Sequence, residues 1–424
     1  MTKKIVLSTL GSHGDIHPFI ALGKALQSRG YAPVLATTDL YRYMIEREGL
    51  AFFAIRPSQD EVLQSLGLTI EQLARQTLSG DTYLIRLIQT ALAASYRDLL
   101  PLVEDADLVL THRIAYAAKC AAEKCSVPHV DIALSPMLLF SAHDPPFGGP
   151  APFFRNPSRI GRAWNRSLFS LIKTLARPYC REALKFRAEI GLPANGDVPF
   201  LQDSVARAAF GLFSPLLGAA QPDFPAAAAI VGSTFHDGGA SATLDTELED
   251  FLAAGEPPLV MTLGSFAALD GAEILRGGTE AARRLHRRVV VIAGREDAKN
   301  FAHQARPDVL VRGYAPHSTV FSRAAVVMHH GGVGTAAQAL RSGRPQLIIP
   351  FFADQPDNAG RIARLGCARV LSRRKFTPRR AEGHLQALLE QPDYAENATK
   401  IADRIAMEDG AAEAARRIAE WAKE

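Results

Sequence analysis

The chain has 424 residues, more than one hydrophobic core usually serves, so its length predicts two or three domains. Hydrophobic residues make up 47% and charged residues 22%, which excludes a disordered, collagenous or coiled-coil chain, and a net charge of +4 without basic and aromatic clusters gives no argument for nucleic acid. No run approaches the roughly 20 apolar residues of a membrane span, Lys3-Lys4 leads into too short an apolar stretch for a leader, and Cys120, Cys125, Cys180 and Cys367 lack CxxC spacing, so the expectation is a cytoplasmic protein with buried thiols.

Ile5 to Leu10, six apolar or small residues, is a segment of the kind a buried parallel strand shows. The glycine-rich turn Gly11-Ser12-His13-Gly14-Asp15 follows, and apolar spacing predicts a helix from Pro18 to Gly30, with the glycine as its stop. Further strands are predicted at Tyr31 to Thr37, Ala51 to Ile55, Leu108 to Thr111, His129 to Ala133 and Ala209 to Phe213. Asp105 and Asp107 look like a metal-chelating pair, but an acidic lead into a strand is common and solvated, so no metal is assigned to them. From Ser214 to Pro258 the composition turns to Pro, Ala, Gly and acids, which marks a boundary. The alternation then restarts with strands at Leu259 to Leu263, Val289 to Ala293, Val309 to Val311, Ala325 to Met328 and Gln346 to Pro350. The expectation is an α/β protein of two doubly wound, Rossmann-like halves. They would span residues 1–214 and 259–408, with 215–258 leading into the second and a C-terminal helix at 409–424 capping it or crossing to the first.

The sharpest local signal is His329-His330-Gly331-Gly332-Val333-Gly334-Thr335, between an apolar strand and a helix predicted to open at Ala336. Backbone amides, a hydroxyl, an imidazole and a helix N-terminus converge there, which suits a phosphate, although a tight packing turn would need the same glycines. Gly332 to Ala337 also fits GxGxx(G/A), with Asp354 where a dinucleotide fold would hold ribose. Such a fingerprint normally opens its domain and this one lies deep in the second half, which argues against a dehydrogenase.

In order and spacing, Arg312-Gly313-Tyr314-Ala315-Pro316-His317, then Met328 to Thr335, Gly343 to Gln346 and Pro350 to Ala359 resemble the donor-binding signature of the inverting GT-B glycosyltransferases of family 1. The opening Gly11 to Pro18 is similar to their bacterial and fungal branch, which includes glycopeptide, macrolide, sterol and rhamnolipid-forming transferases; residues 60–200 match only weakly. The resemblance implies two Rossmann-like domains facing across a cleft and a nucleotide diphosphate sugar as donor, with neither a metal nor a resident cofactor. By that resemblance His329, Gly332, Gly334 and Thr335, with Ser265 on the facing turn, would hold the diphosphate. Tyr314 would stack on the base, Ala315 would meet it through its backbone, and Asp354 and Gln355 would bond sugar hydroxyls. Asp15 would be the general base for the acceptor hydroxyl. An aspartate is a weak base, which leaves His13 and His17 as rivals or partners, and Asp15 could instead merely cap the following helix. Plant members carry a ribose-binding glutamate eight residues after the phosphate-binding histidine; here Ala337 stands there, which leaves UDP-glucose-like and dTDP-rhamnose-like donors both open.

The implied activity is transfer of a hexosyl group to a hydroxyl of a hydrophobic small molecule or lipid. Pro136 to Phe140 and Pro145 to Phe147 would line an apolar acceptor pocket or belong to the core. Residues 153–187 interleave nine cations with apolar residues and hold one acid, Glu182; they would flank the acceptor site or touch an anionic membrane. The alternatives are a nucleotide-sugar 2-epimerase of the same fold and a non-catalytic glycolipid- or sterol-binding protein.

Overall fold

The computed structural model describes residues 2–58, 61, 81–147, 153–193, 197–201, 204–225, 227–237, 244–264, 271–294, 298, 301, 303 and 305–421. They form two compact units, one from Met1–Thr234 with Asp409–Glu424 and one from Phe235–Glu408.

In the first unit the strands are β1 (Lys4–Ser8), β2 (Ala32–Thr37), β3 (Ala51–Ala54), β4 (Leu108–His112), β5 (His129–Ala133), β6 (Ala208–Gly211) and β7 (Ala228–Ile230). They make one sheet in the order β3-β2-β1-β4-β5-β6-β7, every pairing parallel. Its central strands are buried on both faces, which is why β1, β4 and β6 are mostly apolar, while β5 buries His129 and Asp131. Helices α1 (His13–Gln27), α2 (Arg42–Arg47), α3 (Asp81–Glu104), α4 (Tyr116–Lys124), α5 (Arg159–Ala176) and α6 (Arg181–Glu189) accompany it.

The second unit has β8 (Leu259–Thr262), β9 (Val289–Ile292), β10 (Val309–Arg312), β11 (Val326–His329), β12 (Gln346–Ile348) and β13 (Ala368–Val370), in the order β10-β9-β8-β11-β12-β13 and again all parallel. Its helices are α7 (Thr246–Ala253), α8 (Gly271–Arg284), α9 (His317–Ser322), α10 (Val333–Arg341), α11 (Gln355–Arg364), α12 (Pro378–Glu390) and α13 (Pro392–Ile405). The chain then returns to the first unit as α14 (Gly410–Trp421), which packs on α1. Trp421 stacks on Phe210 of β6 with ring centroids 5.4 Å apart, and the Gly410 amide donates to the Ser233 carbonyl at 2.9 Å.

Two features differ from the sequence expectation. The first is α1, which begins at His13 and carries Pro18 in its second turn: the Ser12 hydroxyl accepts from the Gly14 amide and the Asp15 carboxylate reaches back to the Ser12 amide, a capping box that starts the helix five residues early. The second is the pair β7 and β13, three residues each, one in an alanine run inside the Pro-rich stretch and one interrupted by Arg369.

Candidate functional site

In a doubly wound parallel sheet the loops at the carboxyl ends of the strands collect the groups that meet a ligand. In the second unit these loops carry nearly all the donor-side candidates. Val333, Gly334 and Thr335 form the first turn of α10, after Gly332 at its N-cap. The first bond of that turn runs from the Ala336 amide to the Gly332 carbonyl, at 2.8 Å, so the preceding amides have no intrahelical acceptor. The Thr335 hydroxyl in the same turn has no partner among the described residues.

The two histidines before this turn divide the work differently from the sequence expectation. His329 ends β11 fully buried, with Nε2 3.0 Å from Gln346 Oε1 and Nδ1 accepting from the Gly331 amide at 3.1 Å. Both ring nitrogens are therefore committed inside the protein, and burial pushes the imidazole down to about 4, so it is neutral at pH 7. The residue expected to hold phosphate instead ties the turn to β12. His330 is 8% exposed, and its Nδ1 is buried with no hydrogen-bond partner among the described residues. Burial, with His329 and His317 close by, pushes it down to about 3. Its ring fills the space between two glycines: a Cβ on Gly332 would lie 2.3 Å from His330 Nε2, and one on Gly264 2.7 Å from Cε1. Adjacent histidines in sequence gave no way to tell these roles apart, because only the fold brings Gln346 to one of the two rings.

Tyr314 follows β10 with its side chain 56% exposed, whereas Ala315 is 2% exposed. The strand end is clamped, because Arg312 forms ion pairs with Asp245 at 2.8 Å and Glu247 at 2.6 Å, and the bond to Arg312 holds the Asp245 carboxyl down at about 2. Asp354 stands at the N-cap of α11, where its Oδ2 accepts from Asn358 Nδ2 at 2.8 Å; the same nitrogen donates to the Gly331 carbonyl at 3.0 Å. Asn358 thereby fastens the acid loop to the glycine turn, a positioning role the sequence did not reveal. Gln355 is turned inward: its Oε1 accepts from the Phe351 amide at 2.9 Å, so only its NH2 group remains for a sugar. Ser265 lies outside the described residues.

In the first unit, Asp15 Oδ2 accepts from the Ser12 amide at 2.7 Å and the Ser12 hydroxyl at 3.0 Å, while Oδ1 has no partner among the described residues. The carboxylate lies against Gly11, whose φ is +121° and whose replacement Cβ would sit 2.4 Å from Asp15 Oδ2. Residues two apart on a helix do not face each other. Accordingly, the His13 ring meets those of His17 at 5.7 Å and Tyr41 at 5.3 Å, both edge-on. The Tyr41 hydroxyl donates to the Gly11 carbonyl at 2.8 Å, and burial together with the Asp15 charge raises its ionisation well above the usual range.

Residues 5–130 match the glycosyltransferase family 28 N-terminal domain, and residues 280–421 the erythromycin biosynthesis protein CIII-like C-terminal domain. The chain is 29% identical over 438 residues to the O-mycaminosyltylonolide 6-deoxyallosyltransferase of Streptomyces fradiae, covering 99% of this chain and 98% of the relative. It is 30% identical over 375 residues to the glycosyltransferase GtfE of Amycolatopsis orientalis, covering 86% and 84%. This protein is a GT-B glycosyltransferase. Solved structures agree in fold: the glycotransferase of kitacinnamycin superposes with a TM-score of 0.75 at 19% identity over 99% of both chains. The glycosyltransferase VinC in complex with dTDP gives 0.68 at 19%, over 98% of this chain and 99% of its own.

Elsewhere in the glycosyltransferase, Asp105 and Asp107 both hold Lys4, through its ammonium at 2.9 Å and its amide at 2.7 Å. After β5, Leu139 is buried and the Phe140 ring packs 5.1 Å from Phe169 of α5, so part of the stretch read as pocket or core is core. On α5, Ile160, Trp164, Leu171 and Leu175 are exposed at spacings that align them on one stripe. Arg159 and Arg166 fall on the opposite flank, and Arg187 is buried against Glu123. Cations on one face and an apolar stripe on the other are the division of an amphipathic helix. Among the described residues, no helix is long and apolar enough to cross a membrane.

Proposed function

We propose that this glycosyltransferase moves a hexosyl group, with inversion, from a nucleotide diphosphate sugar to a hydroxyl of a hydrophobic small molecule. The observation that carries this reading is the buried Nδ1 of His330, without a partner among the described residues, beside a helix N-terminus whose first amides have no intrahelical acceptor. Burying an unpaired polar atom costs about 1–3 kcal/mol, a cost that a ligand acceptor would remove.

The donor diphosphate would rest on the amides of Val333, Gly334 and Thr335, the Thr335 hydroxyl and the His330 imidazole, with Tyr314 against the base. Gln338, one turn further along α10, donates from Nε2 to Asp237 at 2.8 Å and keeps a buried Oε1 without a partner among the described residues. That acceptor suits a ribose hydroxyl and takes the place of the acid missing at Ala337. Asp354 and the NH2 group of Gln355 would meet the sugar. On the first unit, Asp15 would take the proton from the acceptor hydroxyl with Oδ1, while Ser12 keeps Oδ2 fixed. The hydroxyl oxygen bonds to the anomeric carbon as the bond to the diphosphate breaks. The departing electron pair is stabilised by the amides and dipole of α10, and one displacement inverts the centre. The relative that transfers 6-deoxyallose and the VinC complex with dTDP support a dTDP-deoxyhexose donor and a polyketide-like alcohol.

The test is a thermal-shift screen over dTDP- and UDP-sugars, followed by mass spectrometry of products from a panel of hydrophobic alcohols. Stabilisation by a nucleoside diphosphate sugar and an acceptor mass raised by one hexosyl unit are expected. No shift with any such sugar would overturn the reading.

A further inference from the structure

The carboxyl edge of the second sheet carries one feature that no step above uses. After β13 the chain makes a single 3-10 turn over Arg373–Lys375 and enters α12 at Pro378, with Arg379 and Arg380 in its first turn. Five of the eight residues from Arg373 to Arg380 are cationic and none is acidic. Arg374, Lys375, Arg379 and Arg380 are exposed, and Arg374, Lys375 and Arg379 make no ion pair among the described residues.

This charge stands where the fold does not want it. A helix N-terminus favours acids, and the first turn of α12 holds none, so neighbouring cations there repel both one another and the dipole. Such a local conflict in an otherwise well-capped helix points to a role outside the helix. The turn is also anchored firmly. Arg373 lies over the Phe351 ring at 5.1 Å, and Phe351 opens the loop that ends in Asp354. On the other side Phe376 packs into the core beside Gly277 of α8. The cations are thus fixed on the edge that carries the glycine turn, next to the loop read as the sugar site.

We propose that the Arg373–Arg380 strip is an electrostatic capture site for the donor, drawing a dianionic nucleoside diphosphate sugar toward the glycine turn without contacting it in the bound state. The proposal rests on reading that turn as the diphosphate site. A one-sign cluster at the mouth of a site raises the association rate and not the lifetime of the complex, and salt screens the effect.

The test is rapid-mixing fluorescence with a methylanthraniloyl nucleoside diphosphate, using the full chain and two variants, R374E/K375E and R374Q/R379Q. At about 20 mM salt the association rate is expected to fall about tenfold in the charge-reversed variant and about threefold in the neutral one. The dissociation rates should stay unchanged, and all rates should converge near 0.5 M salt. Both variants should melt no lower than the wild type, because cations leave a helix N-terminus. An unchanged association rate at low salt overturns the proposal, as does a loss of affinity carried by faster dissociation. Failure of the wild type to bind the nucleotide at all would remove the diphosphate reading and this one together.

Discussion

Asp15 is held by one oxygen and, among the described residues, open at the other, the arrangement required of a base that must stay aimed while it collects a proton. Asp15→Asn keeps the shape and the bonds from Ser12 but cannot accept that proton. The expected outcome is a fall in kcat of at least about a hundredfold with dTDP or UDP affinity unchanged, measured by steady-state kinetics and calorimetry. On the donor side, His330→Ala should weaken nucleoside diphosphate binding about tenfold, the size of one lost hydrogen bond to a charged group, whereas His329→Gln should act mainly on stability. Near-equal affinity losses in the two variants would sink the division of roles drawn from their hydrogen bonds. The sequence could announce an imidazole at this turn but not which one, since His329 and His330 are chemically identical until a sheet assigns one of them to Gln346.

At the scale of elements, the apolar strands were readable because burial on both faces removes polar alternation, as in β8 and β9. The start of α1 was not, because the glycine-rich turn Gly11 to Asp15 read as a loop ahead of a helix at Pro18, while the bonds between Ser12 and Asp15 that start the helix there are a matter of geometry. That same junction explains why Gly11 cannot be replaced. Its positive φ and its approach to the Asp15 carboxylate predict that Gly11→Ala displaces the base, at about 1–2 kcal/mol of stability and with most of the turnover lost. A Gly11→Ala enzyme with wild-type kcat would show that the carboxylate does not need its present seat.

For the whole molecule, the buried histidines set an acid limit. The folded chain keeps His329 neutral down to about pH 4, while an unfolded chain protonates it near about 6.5. Its stabilising contribution is therefore complete above that upper value and is lost as pH falls through the window toward 4, amounting to about 2 kcal/mol at pH 5; His330 acts with the same sign. Urea midpoints at pH 7.5 and 5 should show the drop, and it should be smaller in His329→Gln. Removing residues 410–424 takes away α14 and uncovers Phe210, which predicts a loss on the order of 3 kcal/mol and a lower Tm. The sequence placed a helix there but not its destination, since its alanine-rich face fits many partners.

The return of the chain through Gly410 to the carbonyl of Ser233 also fixes how parts of this enzyme can be exchanged with relatives. Residues 235–408 are an internal cassette whose two ends leave and rejoin the host at neighbouring positions. A chimera meant to import a new sugar preference should graft that cassette alone and keep the host's own tail. A simple crossover that carries a foreign tail along would ask α1 and Phe210 to accept a helix they did not evolve with, and such hybrids should express poorly even when the borrowed unit is sound.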